Sequence, residues 1–153
     1  MIRRSVIALL GFAIAATPVS SIAQDAPRTF DLGPVTEVST VRVEPGQLRQ
    51  YMAYLNGTWR QSLEDGKRRG DILSYTIYEP MDGKDADGNL LLAVTYKNAA
   101  VLDTPLDVLD QRTAALQGSV AAAESAGVAR GHIRTILGTR IYRELSFRGP
   151  PSR

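Results

Sequence analysis

The sequence predicts an α+β domain with four strands and helices in a split β-α-β-β-α-β order. Three observations predict it. Runs rich in β-branched or alternating apolar residues recur four times along the chain. A stripe of apolar residues at spacings of three and four lies between the first run and the second. Only a turn-rich loop separates the second from the third, and helix-forming segments precede the fourth.

The elements follow in order. Val35 to Glu44 is the first strand, ended by Pro45-Gly46. From Gln47 onward Leu48, Tyr51, Met52, Leu55, Trp59 and Leu63 form one helical stripe. Lys67, Arg68 and Arg69 oppose the negative end of the helix dipole, and Gly70 suits a left-handed cap. Ile72 to Glu79 is the second strand, residues 80–89 a loop, and Leu90 to Lys97 the third strand. Pro105 to Leu116 reads as a helix with Thr104 as N-cap, and Ser119 to Ile133 as another, although Gly127 and Gly131 weaken it. Gly138 to Phe147 is the last strand.

That order is the split arrangement of a ferredoxin-like sheet with helices on one face. Alternation puts Leu90, Leu92, Val94 and Tyr96 of the third strand, and Ile141, Leu145 and Phe147 of the fourth, against the helices. The other face carries Thr40, Arg42, Ser74, Thr76, Tyr78, Ala93, Thr95, Tyr142 and Glu144, with an expected Arg42–Glu144 pair. Such a face either meets water or meets a second copy of the sheet.

The first 23 residues differ from the rest. Arg3 and Arg4 precede an uncharged run from Val6 to Thr17, and Ser21-Ile22-Ala23 supplies small residues before Gln24. This is the three-part pattern of a secretory signal peptide cleaved between Ala23 and Gln24. As a helix the twelve-residue run spans roughly 18 Å, short of the ~30 Å hydrocarbon core. The expected mature protein is therefore periplasmic or secreted, with no membrane attachment after processing. Residues 24–34 read as a flexible leader, 35–147 as one ferredoxin-like domain, and 148–153 as a disordered, Pro-rich tail.

Export changes the charge argument. The 153 residues hold 18 Lys+Arg and 16 Asp+Glu, a formal +2. Loss of Arg3 and Arg4 leaves sixteen of each sign, so nothing global favours a nucleic acid partner. With no Cys, thiol catalysis, iron–sulfur clusters and cysteine-ligated zinc are excluded, and a packed core must supply stability. With one His, His132, no multi-histidine metal site exists. No metal or cofactor is expected. His132 itself reads as a surface or capping residue beside Arg130 and Arg134. Asp82, Asp85, Asp87 and Gly88 fail the calcium-loop pattern, because Gly83 and Val94 occupy its first and twelfth positions. Arg130, Arg134, Arg140 and Arg143 read as solvated charges paired at the surface. Gly57, inside the first helix, is unfavourable there and invites close approach by a ligand or chain.

Over residues 35–147 the chain resembles the dimeric α+β barrel proteins, particularly NIPSNAP-like and monooxygenase-type domains. The resemblance rests on VRVEPGQ at residues 41–47, Trp59 through Gly70 leading into ILSYTIYE, NLLLAVTYKN at residues 89–98, and the closing IRTILGTRIYREL. It implies a homodimer paired sheet to sheet. Cofactor-independent monooxygenases of that group hold a phenolic substrate with Asn, Trp and Tyr side chains. Asn56 and Trp59, three apart on the helix and facing the strand with Tyr75, match that set by residue type.

The resulting expectation is an exported homodimer of unassigned role that binds a small apolar or phenolic molecule near Trp59. An alternative is a cofactor-independent monooxygenase acting on a phenol or quinol, with Asn56 stabilising the oxyanion. A third is a structural dimerisation module without catalysis.

Overall fold

A computed structural model describes residues 28–82 and 87–149. The signal segment with its Ala23–Gln24 junction, the leader up to residue 27, Asp85 of the acidic loop and residues 150–153 lie outside that range.

Four strands form one antiparallel sheet in the order β2-β3-β1-β4. They are β1 (Phe30–Val43), β2 (Ile72–Tyr78), β3 (Leu90–Tyr96) and β4 (Arg134–Phe147). Between β1 and β2 run α1 (Leu48–Tyr54), a π-helical turn (Leu55–Trp59) and α2 (Arg60–Arg68). A 3-10 turn (Ala99–Asp103), α3 (Leu106–Gln117) and α4 (Val120–Arg130) connect β3 to β4. The predicted ferredoxin-like α+β arrangement is the observed one. Among the described residues no helix is long and apolar enough to cross a membrane.

The outer strands are longer than predicted. β1 starts at Phe30, so residues 30–34 of the expected leader are strand, paired through Phe30↔Phe147 and Leu32↔Leu145. Its Gly33-Pro34 step falls at a register shift between Leu32 and Val35, where a missing amide donor breaks no ladder bond. β4 starts at Arg134, and a second shift accommodates Leu137.

Pairing fixes the two faces. Val35, Val41 and Val43 of β1, with Leu90, Leu92 and Val94 of β3, are buried on the helix side. Thr36 and Thr95 face the other way, their hydroxyls 2.9 Å apart. Arg42 is opposite Thr135, whereas Glu144 lies near Gly33 at the far end of the same strand pair. The expected Arg42–Glu144 pair therefore does not form, because fourteen-residue strands separate the two along the sheet.

One cluster of the core contains Val41, Val43, Tyr51, Leu55, Leu90, Leu92 and Ile133; a second contains Leu63, Ile72 and Val94. Trp59 packs against both. The single stripe read from the sequence is broken at the π turn, where Gly57 leaves helical values at φ −91° and ψ −106°. Glycine's low helix propensity favours that departure. Leu48 and Met52 consequently point outward, while Tyr51, Leu55 and Leu63 are buried. Nothing lies within 4 Å of where a Gly57 side chain would start, so this glycine does not serve close approach.

Caps close the elements. Gly70 takes φ +76°, as the sequence predicts for the end of α2. Thr104 does not cap α3; its hydroxyl donates to the Val101 carbonyl at 2.7 Å, and Pro105 occupies the cap position. Ser119 accepts from the Ala122 amide at 3.0 Å and starts α4. Asn89 joins two strands: its amide donates to the Val43 carbonyl at 3.1 Å, and its Oδ1 accepts from the Val43 N–H at 2.8 Å.

The β4 half of the sheet is uncovered. Ile141, Leu145 and Phe147 were expected against helices, and the register does put them on that side. They are nevertheless 57%, 57% and 91% exposed. The reason is that neither α3 nor α4 buries a single residue.

Asp71 ties the end of α2 to β3 and α3. Arg69 Nε lies 3.1 Å from its carboxylate, Lys97 Nζ 3.4 Å and Arg112 Nη1 3.7 Å. Desolvation works to raise the Asp71 pKa, but hydrogen bonds and charge from Arg69 and Lys97 together outweigh it and hold the pKa below its ordinary value. A carboxylate with a depressed folded pKa stabilises the fold above the unfolded value and loses that contribution as pH falls. Asp71→Asn is expected to lower stability at pH 7 by about 1 kcal/mol. Urea unfolding from pH 7 down to about pH 3 should show this deficit shrinking, as wild type loses its advantage below about pH 4.

Candidate functional site

Asn56, Trp59 and Tyr75 come together. The π turn brings the first two to the side of the helix that faces β2, and Tyr75 and Ile77 rise from β2 toward them. These side chains, with Met52, Leu55 and Arg60, line an open groove of about 330 Å³. The Trp59 and Tyr75 rings meet edge to face, with centroids 5.5 Å apart and planes at 80°. Trp59 is half-buried, one part in the core and one part in the groove wall.

A second groove of about 430 Å³ adjoins it and shares Asn56 and Arg60. Gln61, Glu64, Arg68 and Leu116 complete it. Arg60 and Glu64 were not singled out from the sequence. The available signal was spacing, since Asn56, Arg60 and Glu64 follow one another at intervals of four.

The polar atoms are specifically engaged. Tyr75 Oη donates to Glu64 Oε1 at 2.6 Å, and Lys67 Nζ lies 3.6 Å from the same oxygen and 5.5 Å from the Tyr75 ring centroid. Arg60 Nη1 donates to Asn56 Oδ1 at 3.2 Å. Among the described residues the Asn56 Nδ2 amide has no acceptor, so both its protons are available to the groove. The hydrogen bond from Tyr75 lowers the Glu64 pKa, and the same bond, with desolvation, raises that of Tyr75. Tyr75 therefore stays a neutral phenol at neutral pH, its proton committed to Glu64 while the nearby Arg60 guanidinium opposes part of the upward shift.

His132 is exposed and lines neither groove. Among the described residues no three of His, Asp and Glu gather in a way that would hold a metal ion. Arg130 stacks on the Tyr54 ring at 4.2 Å instead of joining a cluster with Arg140 and Arg143, which are exposed on β4.

No protein-family model matches the sequence, and no curated protein matches it. Solved structures do. HapK from Hahella chejuensis is 8% identical with a TM-score of 0.50, and the match covers 77% of this chain and 99% of HapK. A Shewanella oneidensis protein is 10% identical over 76% of this chain and 98% of its own, with a TM-score of 0.48. A dimeric ferredoxin-like protein from an uncultured marine organism is 7% identical over 80% and 95%, with a TM-score of 0.47. At such identities the likeness to HapK is one of fold alone.

Glu64→Ala is expected to bring the Tyr75 pKa down toward the ordinary tyrosine value near 10. Because a raised acid pKa stabilises the fold below the unfolded value and is lost above it, the variant should also be less sensitive to rising alkaline pH. Tyrosine ring-carbon NMR through an alkaline titration checks both, by the midpoint of Tyr75 and by loss of folded signals.

Proposed function

We propose that this is an exported homodimer of the NIPSNAP-like, dimeric α+β barrel type that holds a small apolar or phenolic molecule in the groove at Trp59. The observation that carries this reading is the groove itself. A half-buried indole, a tyrosine ring and the aliphatic side chains of Met52, Leu55 and Ile77 enclose space of ligand size, with the Asn56 amide free at its rim. A planar apolar body fits against such walls, and a phenolic oxygen accepts from Asn56.

Export rests on the residue 1–23 pattern and its Ala23–Gln24 junction. The dimer is supported by what the single chain leaves uncovered. β4 is an edge strand on which Ile136, Ile141, Tyr142, Leu145 and Phe147 are all at least half exposed. An exposed apolar edge strand of this length favours association. A second copy is the occupant that meets both the mixed sheet face and the β4 edge.

A second reading, a cofactor-independent monooxygenase acting on a phenol or quinol, is favoured by one observation. The unengaged Asn56 amide is a preset donor for an oxyanion developing in the groove.

Calorimetric titration with 2-naphthol tests the groove. Binding is expected in wild type and at least tenfold weaker in Trp59→Phe; no heat with wild type removes the reading. Oxygen uptake with a panel of phenols separates the second reading, since equal rates in wild type and Asn56→Ala would take Asn56 out of any oxygenase mechanism. Sedimentation of residues 24–153 at micromolar concentration is expected to give twice the chain mass. A monomer would end the dimer proposal.

A further inference from the structure

The cations around the two grooves are not equivalent. Arg68 Nη2 lies 2.9 Å from Asp65 Oδ1. Arg69 is held by Asp65 and Asp71, Lys67 by Glu64, and Arg112 by Asp71. Arg60 alone among the groove-lining cations has no carboxylate within ion-pair distance among the described residues. Its guanidinium donates to the neutral oxygen of Asn56 and lies close enough to the Tyr75 hydroxyl to oppose the rise in that group's pKa. Arg60 is exposed at the junction where the apolar groove opens into the polar one.

Glu64 lines the polar groove too, but its Oε1 already receives the Tyr75 hydroxyl and has Lys67 beside it. Glu64 is thus engaged by a hydroxyl and an ammonium, while Arg60, though near both Glu64 and Tyr75, has no carboxylate within ion-pair distance among the described residues. A guanidinium presents paired N–H groups that match a carboxylate bidentately, and the Asn56 amide adds donors next to it.

We infer that the ligand of this groove is an aromatic carboxylate, its ring against Trp59 and Tyr75 and its carboxylate on Arg60 with the Asn56 amide. This rests on the small-molecule reading above and narrows it from an apolar or phenolic molecule to one that carries an acid group one ring-width from its apolar body. The reach is short. Asn56 and Arg60 border both grooves, so a ring lying in the first has its edge at the second. No covalent step is involved.

The test compares two probes that share a ring system, naphthalene-2-carboxylate and 2-naphthol, by calorimetry at pH 7 and low salt. The carboxylate is expected to bind about tenfold or more tightly than the naphthol, the scale of one hydrogen-bonded charge. Arg60→Gln should remove that advantage, weakening the carboxylate about tenfold more than it weakens 2-naphthol. Arg140→Gln, which removes an exposed cation on β4 at the opposite edge of the sheet, should leave both alone. Raising the salt should weaken the carboxylate selectively. Equal affinities for the two probes, or a carboxylate preference that survives Arg60→Gln, would overturn the inference while the groove itself stands. Binding of neither probe would instead remove the groove reading on which it depends.

Discussion

The position of the Trp59 indole governs both the packing and the groove. It is the side chain that touches both hydrophobic clusters, Tyr51 and Leu55 with β1 and β3 on one side, Leu63 with Ile72 and Val94 on the other. An uninterrupted α-helix would carry one stripe down a single face. The π turn inserts extra backbone at Leu55–Trp59, so the buried face before the turn and the buried face after it are served by residues eight apart, Leu55 and Leu63, with Trp59 midway. Fully burying a side chain of this apolar class contributes about 1.5–3 kcal/mol, and Trp59 gains only part of that. The remaining exposed part is the groove wall. Packing and site formation are therefore not alternatives for this residue: the core clamps one edge of the ring so that the other can be presented rigidly.

Around that wall the charges sort by distance from the core. Lys67, Arg68 and Arg69 sit in the last turn of α2 and beyond it, where carboxylates at Glu64, Asp65 and Asp71 are within reach. Arg60 sits at the first residue of α2, four positions from Asn56 and four from Glu64. Glu64 turns to the Tyr75 hydroxyl on β2, because that bond is short and leaves Lys67 to neutralise the same oxygen. The strand thereby draws that carboxylate out of ion-pair distance of Arg60, whose charge still helps to lower the Glu64 pKa.

Much of the fold was legible in the sequence. The alternation of Leu90, Leu92 and Val94, the β-branched run of β1 and the glycine at position 70 each report a local preference that the tertiary structure keeps. The failures share a cause. Thr104 has a cap-forming side chain, but the preceding 3-10 turn offers it the Val101 carbonyl first. Arg42 and Glu144 share a face, yet register along two fourteen-residue strands depends on shifts at Gly33-Pro34 and Leu137 that alternation does not reveal. Ile141, Leu145 and Phe147 have the right parity for a core and no helix above them, since parity says which side a residue faces and not what reaches that side. The three residues of the candidate groove follow from the resemblance to cofactor-independent monooxygenases, matched by residue type, with the three-residue spacing of Asn56 and Trp59 placing them on one side of the helix. Arg60 and Glu64 were missed because a charged residue on an exposed helix face is ordinarily solvated, and only the approach of β2 distinguishes them.

The sheet order separates the two unfinished surfaces of the molecule. The groove is built on β2 and the helix above it, and the bare apolar strip lies on β4. These strands are the opposite edges of a sheet ordered β2-β3-β1-β4, three strand spacings or roughly 14 Å apart. The long helix covers the β2 side because Tyr51, Leu55, Trp59 and Leu63 all point there. The other two helices pack chiefly on one another and leave β4 bare. The groove walls thus come from one chain alone, and association through β4 need contribute no side chain to them. In the proposed dimer, a second copy on β4 would cover the half of the helix-side sheet that this chain's own helices fail to reach. The groove at the β2 edge and the bare strip at the β4 edge are thus built from different residues, and substitutions at Arg60 or Asn56 leave the apolar strip intact.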